Sequence, residues 1–174
     1  MTDMRKYAFD PDILNCAIRA ARPSLGEATT VEAYRLMQFT LRDVLEQEFG
    51  TKETDRLFSL AGELAGRSFF RRYCGGVTDA SSLAGVVQKE FKRQGMGLVR
   101  FELVDLDRGL IRLTVDEDLD CSGLPDTQDT VCVYDEGFIK GLLDSFSGEK
   151  YRVKEVDCWC TGARSCRFVA ERDV

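Results

Sequence analysis

Apolar positions recur with the period of a helix in the first half of the chain and with the period of a strand in the second. Ala33, Leu36, Met37, Leu41, Val44, Leu45 and Phe49 form one helical stripe. Thr29-Thr30-Val31-Glu32 is a capping box of the S/T-x-x-E kind that opens this helix, and Gly50 stops it. Upstream, residues 13–21 predict a short helix ended by Pro23. A third helix is expected from Lys52 to Tyr73, with Leu57, Leu60, Ala61, Leu64 and Phe69 at helical spacing and Gly75-Gly76 beyond its end. Gly62 and Gly66 lie one turn apart within it. Glycine costs up to about 1 kcal/mol relative to alanine in a helix interior, so this pair predicts a close approach to the backbone, by a packed helix or by a ligand. Asp79 caps a fourth helix that turns Leu83, Val86, Val87 and Phe91 inward.

From residue 99 the alternation changes to period two. Val99, Phe101 and Leu103 alternate with Arg100 and Glu102, and Ile111, Leu113 and Val115 alternate with Arg112 and Thr114. Asp107-Arg108-Gly109 is the turn between them, which makes a hairpin. A helix is expected over residues 134–147, with Phe138, Ile139, Leu142, Leu143 and Phe146 as its apolar positions. Strands over 151–160 and 166–171 then flank the turn Thr161-Gly162-Ala163-Arg164. Helices first and antiparallel hairpins after predict an α+β fold, with helices packed on one face of an antiparallel sheet.

The 174 residues fit one domain, and 44% hydrophobic content supplies a core. A net charge of −6 argues against a nucleic-acid partner. The basic runs Arg71-Arg72 and Lys89 to Arg93 read as solvated helix faces. No segment approaches the roughly 18 apolar residues of a spanning helix. The first ten residues lack a signal-peptide pattern, so a cytoplasmic location without membrane contact is expected. Histidine is absent, which removes imidazole-based catalysis, His-ligated haem and Cys/His zinc fingers.

Seven cysteines are present, and five lie between residues 121 and 166. If the terminal hairpin turns about Gly162, Cys158 and Cys166 oppose each other with Cβ atoms about 4.5–5.5 Å apart. Two thiolates so placed can share one metal ion at about 2.3 Å each. Cys160 shares the strand face of Cys158. Cys132 precedes the helix at Tyr134, where the helix dipole favours a thiolate. A Cys158–Cys166 disulfide and plain burial of all five are the competing readings. Cys158-Trp159-Cys160 lacks the C-x-x-C spacing of thioredoxin-like sites. Cys16 and Cys74 stand apart and read as packing.

The run Cys132-Val133-Tyr134-Asp135-Glu136-Gly137-Phe138-Ile139-Lys140-Gly141, then Glu155-Val156-Asp157-Cys158, then Gly162-Ala163-Arg164-Ser165-Cys166-Arg167-Phe168, resembles the 4-vinyl reductase domain family. That family is similar to the sensor domains of phenol-responsive transcription activators and to subunits of the transport-particle tethering complex. The resemblance is strongest from Asp120 to Phe168, and the helix with Gly62 and Gly66 resembles the family's glycine-bearing helix. It implies a two-layer α+β fold over residues 30–174, with residues 1–29 as an N-terminal helical extension. It further implies a homodimer and an apolar pocket for a small hydrophobic or aromatic ligand. In the phenol sensors a structural zinc is held by an upstream Cys and a Glu-x-x-Cys-x7-Cys segment. Those positions fall here on Cys132, Glu155, Cys158 and Cys166.

On a regular strand Glu155 and Cys158 face opposite sides. Either a bulge re-aims one of them, or Cys160 or Cys121 supplies the fourth ligand. A thiolate-only set of Cys121, Cys132, Cys158 and Cys166 equally suits an iron–sulfur cluster. The leading expectation is therefore a sensor or carrier domain with a structural zinc. Phe69, Phe70, Tyr73, Phe138 and Trp159 are its ligand-pocket candidates, and a signalling partner protein would supply the output. An iron–sulfur or redox sensor, a tetrapyrrole-related enzyme and an assembly module are the alternatives. The enzyme reading is disfavoured by the lack of a G-x-G-x-x-G fingerprint, and no catalytic residue is assigned.

Overall fold

The computed structural model describes residues 6–15 and 17–173. Its four helices pack against an open, four-stranded antiparallel sheet. The long helices are α2 (Val31–Phe49), α3 (Thr51–Phe69), α4 (Ala80–Gln94) and α5 (Val133–Ser147), preceded by the single turn α1 (Ile18–Ala21). The strands are β1 (Leu98–Asp105), β2 (Leu110–Asp116), β3 (Tyr151–Asp157) and β4 (Cys166–Arg172), in the order β1-β2-β4-β3.

The N-terminal region departs from expectation. Instead of one helix over residues 13–21, a 3₁₀ segment, Pro11–Asn15, precedes α1, and Cys16 between them lies outside the described residues. The cap of α2 also moves by one residue. Thr30 is the N-cap, its hydroxyl accepting from the Ala33 amide at 3.1 Å, so Glu32 is not placed to answer as the third helical residue of a capping box. Asp79 caps α4 as expected, accepting from the Ser82 amide at 2.9 Å.

The sheet follows its alternation. Ile111, Leu113, Tyr151, Val153, Phe168 and Ala170 are buried in the core. Arg100, Glu102 and Arg167 instead make ion pairs on partly exposed side chains, Arg100 with Asp116 and Arg167 with Glu102. A bulge between Phe101 and Leu103 breaks the phase of β1 and leaves Leu103 exposed. Helix α4 packs on β1, and α5 packs on β3 and β4.

Helix α3 reaches this layer through α5, and it does so with a face the leucine pattern does not mark. Leu60 and Leu64 are exposed, whereas Phe58, Gly62, Gly66 and Phe69 are buried. The reason is backbone contact between helices. A Cβ on Gly62 would collide with the Tyr134 carbonyl, and one on Gly66 with the Phe138 carbonyl. From the other side, Gly137 meets the Ser59 carbonyl and Gly141 the Glu63 carbonyl. The close approach read from Gly62 and Gly66 is therefore that of a helix. Past Phe69 the helix loosens into a π turn, Phe70–Cys74, before Gly75.

Helix α2 buries none of its residues, and its stripe of Leu36, Met37, Leu41 and Val44 is exposed in the single chain. It is tied down by polar contacts. Arg35 donates to the carbonyls of Leu119 (2.9 and 2.8 Å) and Ser122 (2.8 Å), and the Tyr34 hydroxyl donates to Asp120 at 2.7 Å. Among the described residues no helix is long and apolar enough to cross a membrane.

The α3–α5 contact makes a paired prediction. Gly141→Ala should destabilise the fold by about 2–3 kcal/mol, because backbone on both sides prevents relief. Gly85→Ala, at a helical position with nothing within 4 Å, should be neutral or stabilise by up to about 1 kcal/mol. Urea denaturation of both variants checks this, and equal effects would remove the steric argument.

Candidate metal centre and cavity

Four chain segments deliver cysteines to one point. Cys121 comes from the loop after β2, Cys132 is the residue before α5, Cys158 follows β3 and Cys166 opens β4. All four are buried free thiols, and their sulfurs lie within 4.8 Å of one another. Individual separations are 3.1 Å for Cys121–Cys166, 3.7 Å for Cys132–Cys166 and 3.9 Å for Cys132–Cys158. A tetrahedral ion with metal–sulfur bonds near 2.3 Å needs sulfurs about 3.8 Å apart. The set thus has the size of a mononuclear thiolate site. An iron–sulfur cluster distributes its thiolates over separate irons and needs them farther apart.

Local geometry explains the convergence. Between Glu155 and Asp157 the β3–β4 register slips, with Val156 as the extra, exposed residue. The bulge restores phase, so Glu155 and Cys158 are both buried despite their odd separation. A 3₁₀ turn, Trp159–Thr161, replaces the end of the expected strand. Within it the Cys158 amide donates to the Thr161 hydroxyl at 3.1 Å. The Cys160 carbonyl accepts from the Thr127 and Gln128 amides, each at 2.9 Å, and so holds the loop that carries Cys121. The Cys160 sulfur is buried but is not one of the four, and burial pushes its thiol up to about 12.

Glu155, expected among the ligands, has Oε2 accepting from the Cys132 amide at 2.9 Å, while Oε1 is buried without a partner. Cys121, named in the sequence only as a substitute, stands with the other three sulfurs. The signal for it was weak because a loop cysteine carries no strand or helix period to aim it.

The site is rich in anions. Burial raises the Glu155 carboxyl to about 8 and, with Asp120 beside it, the Asp118 carboxyl to about 7. Burial and the charges of Asp118 and Asp120 push Asp135 well above the usual carboxylate range, and its Oδ2 has no partner. Hydrogen bonds from Cys121, Cys132 and Cys166 lower the Cys158 thiol. The bond with Cys121 heads the causes that raise Cys132 and Cys166. Left to itself the cluster favours one thiolate served by neighbouring S–H donors. A bound cation reverses that preference and relieves the surrounding carboxylates. The residues therefore fit a thiolate-preferring metal ion.

A cavity of about 660 Å³ lies beside this centre, between α3, α5 and the end of α4. Of the expected pocket residues, Phe69, Tyr73 and Phe138 line it. Phe70 instead stacks against Phe146 with centroids 6.5 Å apart. Trp159 donates its indole N–H to the Leu124 carbonyl at 3.0 Å and lies under the Arg164 guanidinium. Lining residues that the aromatic pattern did not indicate include Met96, Tyr134 and, from the N-terminal segment, Phe9 and Leu14. Phe69, Phe91 and Phe138 pack edge to face at 5.3–5.8 Å and form the cavity's rigid inner wall.

The comparisons agree with this architecture. The model of the vinyl-4-reductase domain matches residues 111–172, the stretch that contributes all four cysteines, so the resemblance to the 4-vinyl reductase domain family holds. An uncharacterized protein of Methanocaldococcus jannaschii, MJ1642, is 25% identical over 144 residues, which are 83% of this chain and 78% of that protein. Among solved structures, the phenol-responsive sensory domain of the transcription activator PoxR, with phenol, superposes with a TM-score of 0.65 at 14% identity. That match covers 83% of this chain and 75% of the other. A trafficking protein particle complex subunit 3 from Naegleria fowleri, covalently bound to palmitic acid, gives 0.62 at 14% identity, over 83% of this chain and 95% of that one. The shared property is the fold of helices on an open antiparallel sheet.

Proposed function

We propose that this chain is a ligand-binding sensor or carrier domain that takes a small hydrophobic or aromatic molecule in the α3–α5 cavity. The observation that carries the reading is that one helix serves both features. Helix α5 starts at Cys132 in the sulfur cluster and presents Tyr134 and Phe138 to the cavity within its next two turns. The cavity's size and largely apolar lining suit a small organic ligand. Phenol bound to the PoxR sensory domain supports the same reading through the shared fold.

In this reading a structural zinc is held by Cys121, Cys132, Cys158 and Cys166, and Glu155 positions Cys132 through its amide. The metal's chemistry is crosslinking: it fastens the terminal hairpin and the Cys121 loop to the start of α5. The protein purified without added metal should contain about one zinc per chain. Cys121→Ser and Cys132→Ser should lose it along with about 3 kcal/mol or more of stability. Cys160→Ser should keep it, and Glu155→Leu should lower metal affinity about 10- to 100-fold. Metal analysis decides between sets: zinc kept in Cys121→Ser but lost in Cys160→Ser would exchange those two roles.

Ligand binding is tested separately. 2-Naphthol should bind saturably at one molecule per chain in calorimetry. Ala65→Trp, which fills the cavity from α3, should abolish binding while leaving the metal content unchanged. Undiminished binding in that variant would place the ligand elsewhere.

The exposed stripe of α2 is proposed as the interface of a homodimer, since Leu36, Met37, Leu41 and Val44 form a continuous apolar face on an otherwise polar helix. Leu41→Glu should convert a dimer to a monomer in analytical ultracentrifugation. A native chain that sediments as a monomer at micromolar concentration would exclude that interface. Cytoplasmic location and a separate signalling partner belong to the same proposal.

A further inference from the structure

The polar groups of the cavity are arranged along one direction. Ala61, Leu64, Ala65, Ser68 and Arg72 follow one another on a single face of α3 and its π extension, and all five line the cavity. The wall therefore runs from apolar, through a hydroxyl, to a guanidinium. Ser68 is 6% exposed, yet its Oγ has no hydrogen-bond partner. A buried hydroxyl facing a cavity without a partner is satisfied when a ligand oxygen arrives.

The far end gathers cations in a chain whose net charge is −6. Arg72 and Arg93, drawn from the two basic runs of the sequence, lie against the Tyr73 ring at 5.5 and 5.7 Å from its centroid. Arg93 Nε donates to Glu90 at 2.6 Å, and another of its nitrogens donates to the Tyr73 hydroxyl at 3.3 Å. These two bonds fix the fork's orientation and leave further N–H donors of its five. Two guanidiniums thus converge on one end of a cavity whose opposite end is apolar.

We propose that the cavity's ligand is an amphipathic carboxylate. Its apolar body lies among Phe69, Phe138, Met96 and Ala65. Its carboxylate sits at the Arg72–Arg93 end, with a head-group oxygen within reach of the Ser68 hydroxyl. The assignment rests on the cavity being a ligand site and adds the chemical class. A neutral ligand brings no charge to meet the two guanidiniums, whereas a carboxylate matches their planar forks.

The test compares decanoate with 1-decanol, which share a chain length and differ in head-group charge, by calorimetry on the full chain. Decanoate should bind at one per chain and about tenfold or more tighter than the alcohol. In Arg72→Gln/Arg93→Gln the acid-to-alcohol ratio should fall below about threefold. A general loss of folding would weaken both probes and leave their ratio unchanged. Ser68→Ala should weaken both probes by about 3- to 10-fold. Equal binding of acid and alcohol by the native protein overturns the proposal, as does an acid preference that survives the double variant. Failure of both probes while 2-naphthol still binds overturns the carboxylate assignment alone. Failure of all three removes the ligand site itself.

Discussion

The backbone-to-backbone contact of α3 with α5 is the constraint on which the other features depend. Four glycines, Gly62 and Gly66 on one helix and Gly137 and Gly141 on the other, let each helix reach the other's carbonyl oxygens. Side chains elsewhere hold packed helices 8–10 Å apart at their axes; here there are none to do so. Because α5 is held this close to α3 and also covers β3 and β4, its two ends are fixed. At the C-terminal end Asp144 accepts from Lys140 at 2.7 Å, Lys150 at 3.0 Å and the Tyr151 amide at 2.9 Å, which joins the helix to the strand that follows. At the N-terminal end the same fixation delivers Cys132 to the other sulfurs.

The α+β class was legible because period-two alternation in β1, β2, β3 and β4 has one physical cause, a sheet with one covered face. The face of α3 was not legible from its leucines. Hydrophobic periodicity assumes that burial follows side-chain size, and in α3 the most buried turn is made of residues without side chains. Gly62 and Gly66 did carry the signal, through the energetic cost of placing them in a helix, but Gly137 and Gly141 lie in a run whose apolar neighbours masked them. The stripe of α2 was read correctly as a helix, yet within one chain it covers nothing.

At the metal centre, spacing in the sequence identified three of the four clustered sulfurs, since Cys132, Cys158 and Cys166 lie at the borders of regular elements. The difficulty of the odd Glu155–Cys158 separation is resolved by the bulge at Val156, a device that alternation alone cannot reveal. Glu155 then satisfies the Cys132 amide, a role as dependent on the bulge as metal ligation would have been. Cys121 depends on contacts far apart in the chain: Arg35 from α2 grips the carbonyls on either side of it, and the Cys160 carbonyl holds the segment beyond. Loop residues placed in this way follow from tertiary structure and not from any local pattern.

A single rigid helix shared by two binding features has a thermodynamic consequence. Whatever order the sulfur cluster imposes on the first turns of α5 is order that a molecule in the cavity need not impose, because Tyr134 and Phe138 belong to those turns. Occupancy of the two sites is then coupled through the helix, and linkage makes the coupling reciprocal: ion affinity and ligand affinity rise by the same factor. The Arg35 contacts extend the same rigid unit to α2, whose apolar stripe faces outward. A change in the order of the Cys121 loop is therefore transmitted to the one long helix with an uncovered face, the arrangement a sensor requires if it is to report on an internal ligand at its surface.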